Sequence, residues 1–296
     1  MEKAKVYFTK NITPENLIEI YETLGIELKG NVGIKVSTGE KGARGYLKAD
    51  LIGPLVKKLN GTIIECNTAY PGKRNTTEEH LQVAEEHGFT SIAKVDIMDE
   101  NNEFKIPVNK GKHLKYDIVG ENLKKYDCML NLAHGKGHQM GGFGANLKNQ
   151  SIGVASRNGK AYIHSCGQTD DPNLCWQVEY EQKDFIESMA EAAKAVTDYF
   201  KENNKQILYI TVMNFLSIDC DCAKNQSDPV IEDIGIIASL DPVANDQAFL
   251  DMIWNTKEIG VESLKERIDN QVGRHITEYA EKLGLGTREY ELINID

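Results

Sequence analysis

Short runs of β-branched and apolar residues alternate along this chain with amphipathic stretches of helical period. Residues 6–8 and 32–36 read as strands with a helix over 14–24 between them. The pattern continues with a helix over 47–59, a strand over 62–65, a helix over 76–87 and a strand over 92–97. The irregular stretch 101–117, with Pro107 and Gly111, suggests a β-hairpin or an excursion before a buried strand at 128–132. Residues 158–177 look loop-rich, and a long helix over 183–201 then carries Phe185, Met189, Ala192, Ala193, Val196 and Phe200 on one face. Strands at 207–212 and 233–239 follow, and Asp241-Pro242 opens a helix as cap and first residue. Two further helices lead to a last strand near the end of the chain. The alternation predicts an α/β fold, a mostly parallel sheet flanked by helices, in one domain over 1–296 with two intimate lobes, 1–157 and 158–296.

Composition narrows the partners. The chain has 296 residues, 41% of them hydrophobic, which suffices for a large core. A formal net charge of -11 argues against nucleic acid or an anionic membrane surface as a general partner, but leaves room for a local basic pocket. No apolar run approaches the roughly 20 residues that span a bilayer, and the charged start lacks the apolar core of a signal peptide, so the expected location is the cytoplasm. The six cysteines are too scattered for a secreted disulfide framework and include no Cys-x-x-Cys pair, so neither a zinc ribbon nor a ferredoxin-type motif is present.

The densest chemistry lies in HGKGHQMGGFGANLKN, from His134 to Asn149, just beyond the strand at 128–132, where α/β sheets place ligands. His134 and His138 are four apart, and a Gly-rich loop leaves their geometry free. With His164 and a carboxylate or a thiolate, such as that of Cys220 or Cys222, they would make a site for zinc, iron or nickel; hydrogen-bonded structural roles are the alternative. The same segment also suits an anion. Gly141 and Gly142 could turn backbone N–H groups to one point while Lys136 and Lys148 supply charge. Lys35 ends a predicted strand, and Asn67 and Arg74 follow another, with Arg74 a good oxyanion partner. Asp241 is explained by capping, Asp246 could support a neighbouring loop, and His80 reads as a packing residue.

Several blocks together resemble a known family. They are NTAYPGKR from Asn67, the run from His134 to Asn149 with Ala155-Ser156-Arg157 and His164, the Cys220-Asp221-Cys222 triplet, and ASLDPVANDQA from Ala238. In number and order they resemble the domain of unknown function 362, in particular its branch of iron-sulfur centre proteins. Members of that branch carry a ferredoxin-like insertion after the position of His164, and this chain passes from Cys166 to Cys175 and into the long helix without one. The resemblance therefore implies the family core without its 4Fe-4S clusters. Two readings follow. One is a metal-dependent enzyme acting on a small anion in a cleft between lobes. The other is a non-catalytic module that binds an anion or cofactor, or docks a separate redox protein such as a ferredoxin. The apolar face of the long helix would serve the protein's own core or a homodimer.

Overall fold

The computed structural model describes residues 3–223 and 225–296. Its first half contains β1 (Ala4–Thr9), α1 (Pro14–Thr23), β2 (Val32–Lys35), α2 (Ala49–Lys58), β3 (Thr62–Glu65), α3 (Thr77–Glu86), β4 (Val95–Ile97) and a hairpin of β5 (Glu103–Pro107) and β6 (Tyr116–Gly120). There follow β7 (Cys128–His134), a small hairpin of β8 (Lys136–His138) and β9 (Gly142–Gly144), α4 (Asn146–Gln150), α5 (Arg157–His164) and α6 (Gln182–Glu202). The chain ends with β10 (Gln206–Met213), β11 (Gly235–Ser239), α7 (Pro242–Asn255), α8 (Val261–Asn270), α9 (His275–Lys282) and β12 (Tyr290–Asn294).

One 8-stranded sheet takes strands from both halves of the chain, in the order β12-β1-β11-β10-β7-β2-β3-β4. Only β11 runs against the rest, pairing antiparallel with β1 and β10. The largely buried strands β7 and β10 lie in the middle, as expected of strands covered on both faces. One face packs on α1 and α2 through Leu17, Ile20, Ile52 and Leu55. The other packs on α6, α7 and α9 through Phe185, Met189, Phe249 and Ile276. Among the described residues no helix is long and apolar enough to cross a membrane.

The topology decides where a ligand can enter. From β2 the chain winds outward through β3 to β4, then returns to place β7 on the other side of β2. The carboxyl ends of β2 and β7 therefore diverge at a switch point, the position where open α/β sheets form a crevice.

Two short helices occupy stretches that the sequence presents as loop. The Asn158-Gly159 pair reads as a breaker, yet α5 begins there, because Ser156 accepts the Gly159 N–H at 3.0 Å. A Cβ at Gly159 would come within 1.9 Å of the Ile118 carbonyl, so the glycine serves close packing of α5 on β6. Within the Gly-rich segment α4 has no local side-chain cap. Asp246 supplies one from α7, accepting Asn146 N at 2.9 Å and Leu147 N at 3.0 Å.

The Asp241 cap on α7 accepts from Val243 N, Ala244 N and, across the chain, Thr287 N. Replacing Asp241 by alanine should lower stability by about 1–2 kcal/mol, read as a lower urea midpoint at unchanged slope.

Candidate active-site cavity

At the switch point β2, β3 and β7 end in Lys35, Glu65 and His134, and all three line one cavity of about 80 Å³. A buried amide ladder fixes its floor. Asn131 and Asn146 exchange side-chain-to-backbone hydrogen bonds at 2.9 Å, and Asn149 donates to Asn131 Oδ1 at 2.8 Å and to the Lys35 carbonyl at 3.0 Å. This ties α4 to the ends of β7 and β2 and aims Lys148 into the cavity.

Glu65 is the anchoring charge. It meets Lys35 at 2.9 Å and Arg74 at 3.3 Å, all three side chains being almost fully buried. Burial alone would raise the Glu65 carboxyl, but the charges of Lys35 and Arg74 more than offset it and hold the group at about 2. Lys35 also donates to Val36 O at 2.7 Å and Asn149 Oδ1 at 2.9 Å, so its three protons are committed and it is not an anion ligand. Arg74 spans Glu65, Tyr70 Oη at 2.9 Å and Cys222 Sγ at 3.6 Å.

A second charge network forms the opposite wall. Asp221 accepts from His134 Nδ1 at 2.9 Å and pairs with Lys136 at 2.7 Å. Burial opposes its ionisation, but Lys136 and His134 hold the carboxyl far below the usual carboxylate range. His134 Nε2 faces the Asn214 carbonyl at 2.6 Å, so both of its ring nitrogens face acceptors and neither lone pair is free for a metal.

His134 ends β7 and His138 lies in β8, so a hairpin rather than a free loop sets their positions. Donor atoms of His138, Cys220 and Cys222 lie within 4.8 Å of one another, and neither His134 nor His164 joins this group. His138 Nδ1 accepts from Gly141 N at 2.9 Å and Met140 N at 3.1 Å, which puts the ring proton on Nε2, facing Cys222. The Cys220 S–H bonds to Cys222 and, together with the His138 N–H and the charges of Lys148 and Arg74, holds the Cys222 thiol well below its usual range despite burial. Cys220, donor to that sulfur, is pushed well above its own. Two adjacent sulfurs with donors already turned towards one of them can hold a thiophilic cation through sulfur, with His138 as a supporting hydrogen-bond donor.

Other expected ligands lie elsewhere. Gly141 and Gly142 do not line the cavity, and the Gly141 N–H is spent on His138. Asn67 sits behind the wall, its backbone N–H bonded to Asp99 at 2.9 Å and its side-chain amide to Thr77 at 3.0 Å. His80 is a buried packing residue bonded to Thr38.

Several lining residues were not singled out by sequence, among them Glu65, Asp221, Lys160 and Trp176. Lys160 on α5 is 6% exposed and donates only to the carbonyls of Ala155 at 2.6 Å and Cys66 at 3.4 Å. Trp176, 41% exposed, lines both the cavity and a wider acidic groove outside it with Glu179, Glu181 and Asp184. The four-residue spacing of Lys160 and His164 was the available signal, hidden because the segment did not read as helix.

The cavity's charge is one-sided. Among the described lining residues the five cations Lys35, Arg74, Lys136, Lys148 and Lys160 face two carboxylates, Glu65 and Asp221, and the Cys222 thiol whose ionised form they favour, so the lining stays net positive. Replacing Glu65 by glutamine strands Lys35 and Arg74 and should cost about 3–5 kcal/mol. Because the folded-state value is depressed, the contribution of ionised Glu65 is complete above about 4.5 and lost as pH falls through about 2. Urea midpoints measured against pH should show a smaller acid-side loss in the variant than in the wild type, the remainder coming from other depressed carboxylates such as Asp221.

None of the curated proteins matches the chain in sequence. Among solved structures, a Thermotoga maritima protein from a structural genomics consortium aligns at 13% identity and a TM-score of 0.42, over 91% of this chain and 58% of its own. The lactate racemase apoprotein from Thermoanaerobacterium thermosaccharolyticum aligns at 14% identity and a TM-score of 0.48, over 84% of this chain and 57% of its own. The chain thus spans less than two thirds of the length of either. The sequence profile described as Domain of unknown function (DUF362) matches residues 32–251, and the protein belongs to that family.

Proposed function

We propose that the protein is an enzyme acting on a small anionic substrate in this cavity, beside a transition metal bound by the thiolates of Cys220 and Cys222. The observation that carries the reading is the cation excess: five cationic side chains and two carboxylates around a buried cavity, in a chain whose net charge is -11. Such a concentration of like charge costs energy in the absence of a counter-ion, and an anionic ligand removes that cost. Lys148 is the recruiting charge, since among the described residues no carboxylate lies within 4.0 Å of its ammonium.

Two thiolates balance a divalent ion, so a metal at the sulfur pair leaves the cation excess for the substrate. The donor types suit zinc, iron or nickel. When bound, the metal supplies Lewis acidity beside the anion. The chain's own residues orient the substrate through Lys148 and Arg74, and the covering Trp176 limits water.

The second reading, a non-catalytic module that binds the anion and docks a separate redox protein, is favoured by the acidic groove of Glu179, Glu181 and Asp184 outside Trp176. It shares the anion site and differs in having no resident metal.

Untagged protein purified without oxygen should contain near-stoichiometric metal that a Cys220→Ser/Cys222→Ser variant loses. Calorimetry should show phosphate binding that weakens about tenfold in Lys148→Met, equivalent to about 1.4 kcal/mol. A metal-free wild type that binds phosphate supports the non-catalytic module; failure to bind any small anion overturns both readings.

A further inference from the structure

Resting on that anion-site reading, we infer that α5 presents the ligand-contacting face of the cavity, with His164 as a direct hydrogen-bonding contact, and that the ligand is a small oxyanion carrying two or more charges. Lys160 and His164 stand four residues apart on α5, hence on one face, and both line the cavity.

His164 is only 7% exposed. Its ring is stacked on Phe185 at 4.9 Å with 16° between planes and tilted against Trp176 at 5.0 Å, so packing sets its orientation. Yet His164 Nδ1 is buried without a partner, and Nε2 makes no hydrogen bond among the described residues. The other histidines each make at least one ring hydrogen bond: His80 to Thr38 Oγ1, His87 to Thr38 O, His113 and His275 to Glu187, His134 to Asp221, and His138 to Gly141 N. A buried imidazole held in a fixed plane beside a polar cavity, with neither nitrogen used, is a group built for a partner that arrives from outside the chain.

The contrast with the other histidine-rich cluster sharpens the point. Glu187 is met by His113 at 2.8 Å, His275 at 3.0 Å and Lys112 at 3.0 Å, so that cluster is closed on itself.

Charge and size define the ligand. Among the described residues Lys160 reaches only carbonyl oxygens, and with Lys148 it leaves two ammonium groups lacking a carboxylate partner, on α5 and α4. A monoanion would leave part of the excess unmatched. On the scale of roughly 10–15 Å³ for each water-sized occupant, about 80 Å³ admits roughly five to eight non-hydrogen atoms. That range covers phosphate or a two-carbon dicarboxylate.

The test is calorimetric titration of the full-length, metal-loaded protein with inorganic phosphate, oxalate and acetate at low ionic strength, for the wild type and for His164→Phe. Phenylalanine keeps the ring packing on Phe185 and Trp176 while removing both nitrogens. Phosphate and oxalate should bind at least tenfold more tightly than acetate. His164→Phe should weaken phosphate about tenfold while ligand-free thermal stability and metal content stay at or above the wild-type level, an outcome that a purely structural role for His164 does not give. In wild-type protein the ring-nitrogen resonances of His164 should shift as phosphate is added, which decides the matter should the variant not fold. Equal acetate and phosphate affinities overturn the polyvalent ligand. Wild-type phosphate affinity in His164→Phe, or an unmoved His164 resonance, overturns the contact while leaving the anion site standing. No binding of any anion to the wild type overturns the anion site itself.

Discussion

The Glu65 carboxylate, buried between Lys35 and Arg74, is the constraint on which the rest of the site depends. It neutralises the last residue of β2, and Lys35 in turn reaches Asn149 on α4, so the strand ends, the Arg74 loop and the short helix are held as one unit. An apolar substitute could close the same space, but a carboxylate met by two cations fixes direction as well as volume. The consequence for function is a division of labour among the cations. Lys35 and Lys136 are occupied by Glu65 and Asp221, whereas Lys148 and Lys160 have no carboxylate partner among the described residues.

That division places a positive interior inside a negative protein. With a net charge of -11, the surface field opposes the approach of anions at long range, and the cavity reverses that preference only over the last few ångströms. On the proposed reading, selectivity comes from size and from the wall of His164 and Trp176, with Phe185 stacked on the His164 ring, rather than from steering. The sulfur pair faces the same space, with Arg74 3.6 Å from Cys222.

Much of this was legible in the sequence because its causes are local. The β-branched runs ending in Lys35, Glu65 and His134 are strands for the reason the pattern implies, and strand ends at a parallel sheet's switch point collect ligand-binding residues. The 101–117 stretch is the hairpin it resembles, and Asp241 caps α7. What escaped was set by contacts distant in sequence. The cap of α4 is Asp246, about a hundred residues on, and Gly159 is tolerated in α5 because Ile118 passes so close. With α5 unread, Lys160 had no reason to be grouped with His164. The glycines at 141 and 142 promised an anion cradle, but a backbone N–H can be spent only once, and that of Gly141 goes to His138. His134 carried the metal expectation, but its two ring nitrogens face the carboxylate of Asp221, a residue between two more conspicuous cysteines, and the Asn214 carbonyl.

The most direct test of an anion-binding interior is a crystal of the metal-loaded protein soaked in selenate and measured at the selenium absorption edge. The account predicts an anomalous peak in the cavity, in contact with Lys148, Lys160 and His164. A cavity without selenium, with peaks confined to the outer surface, would contradict it.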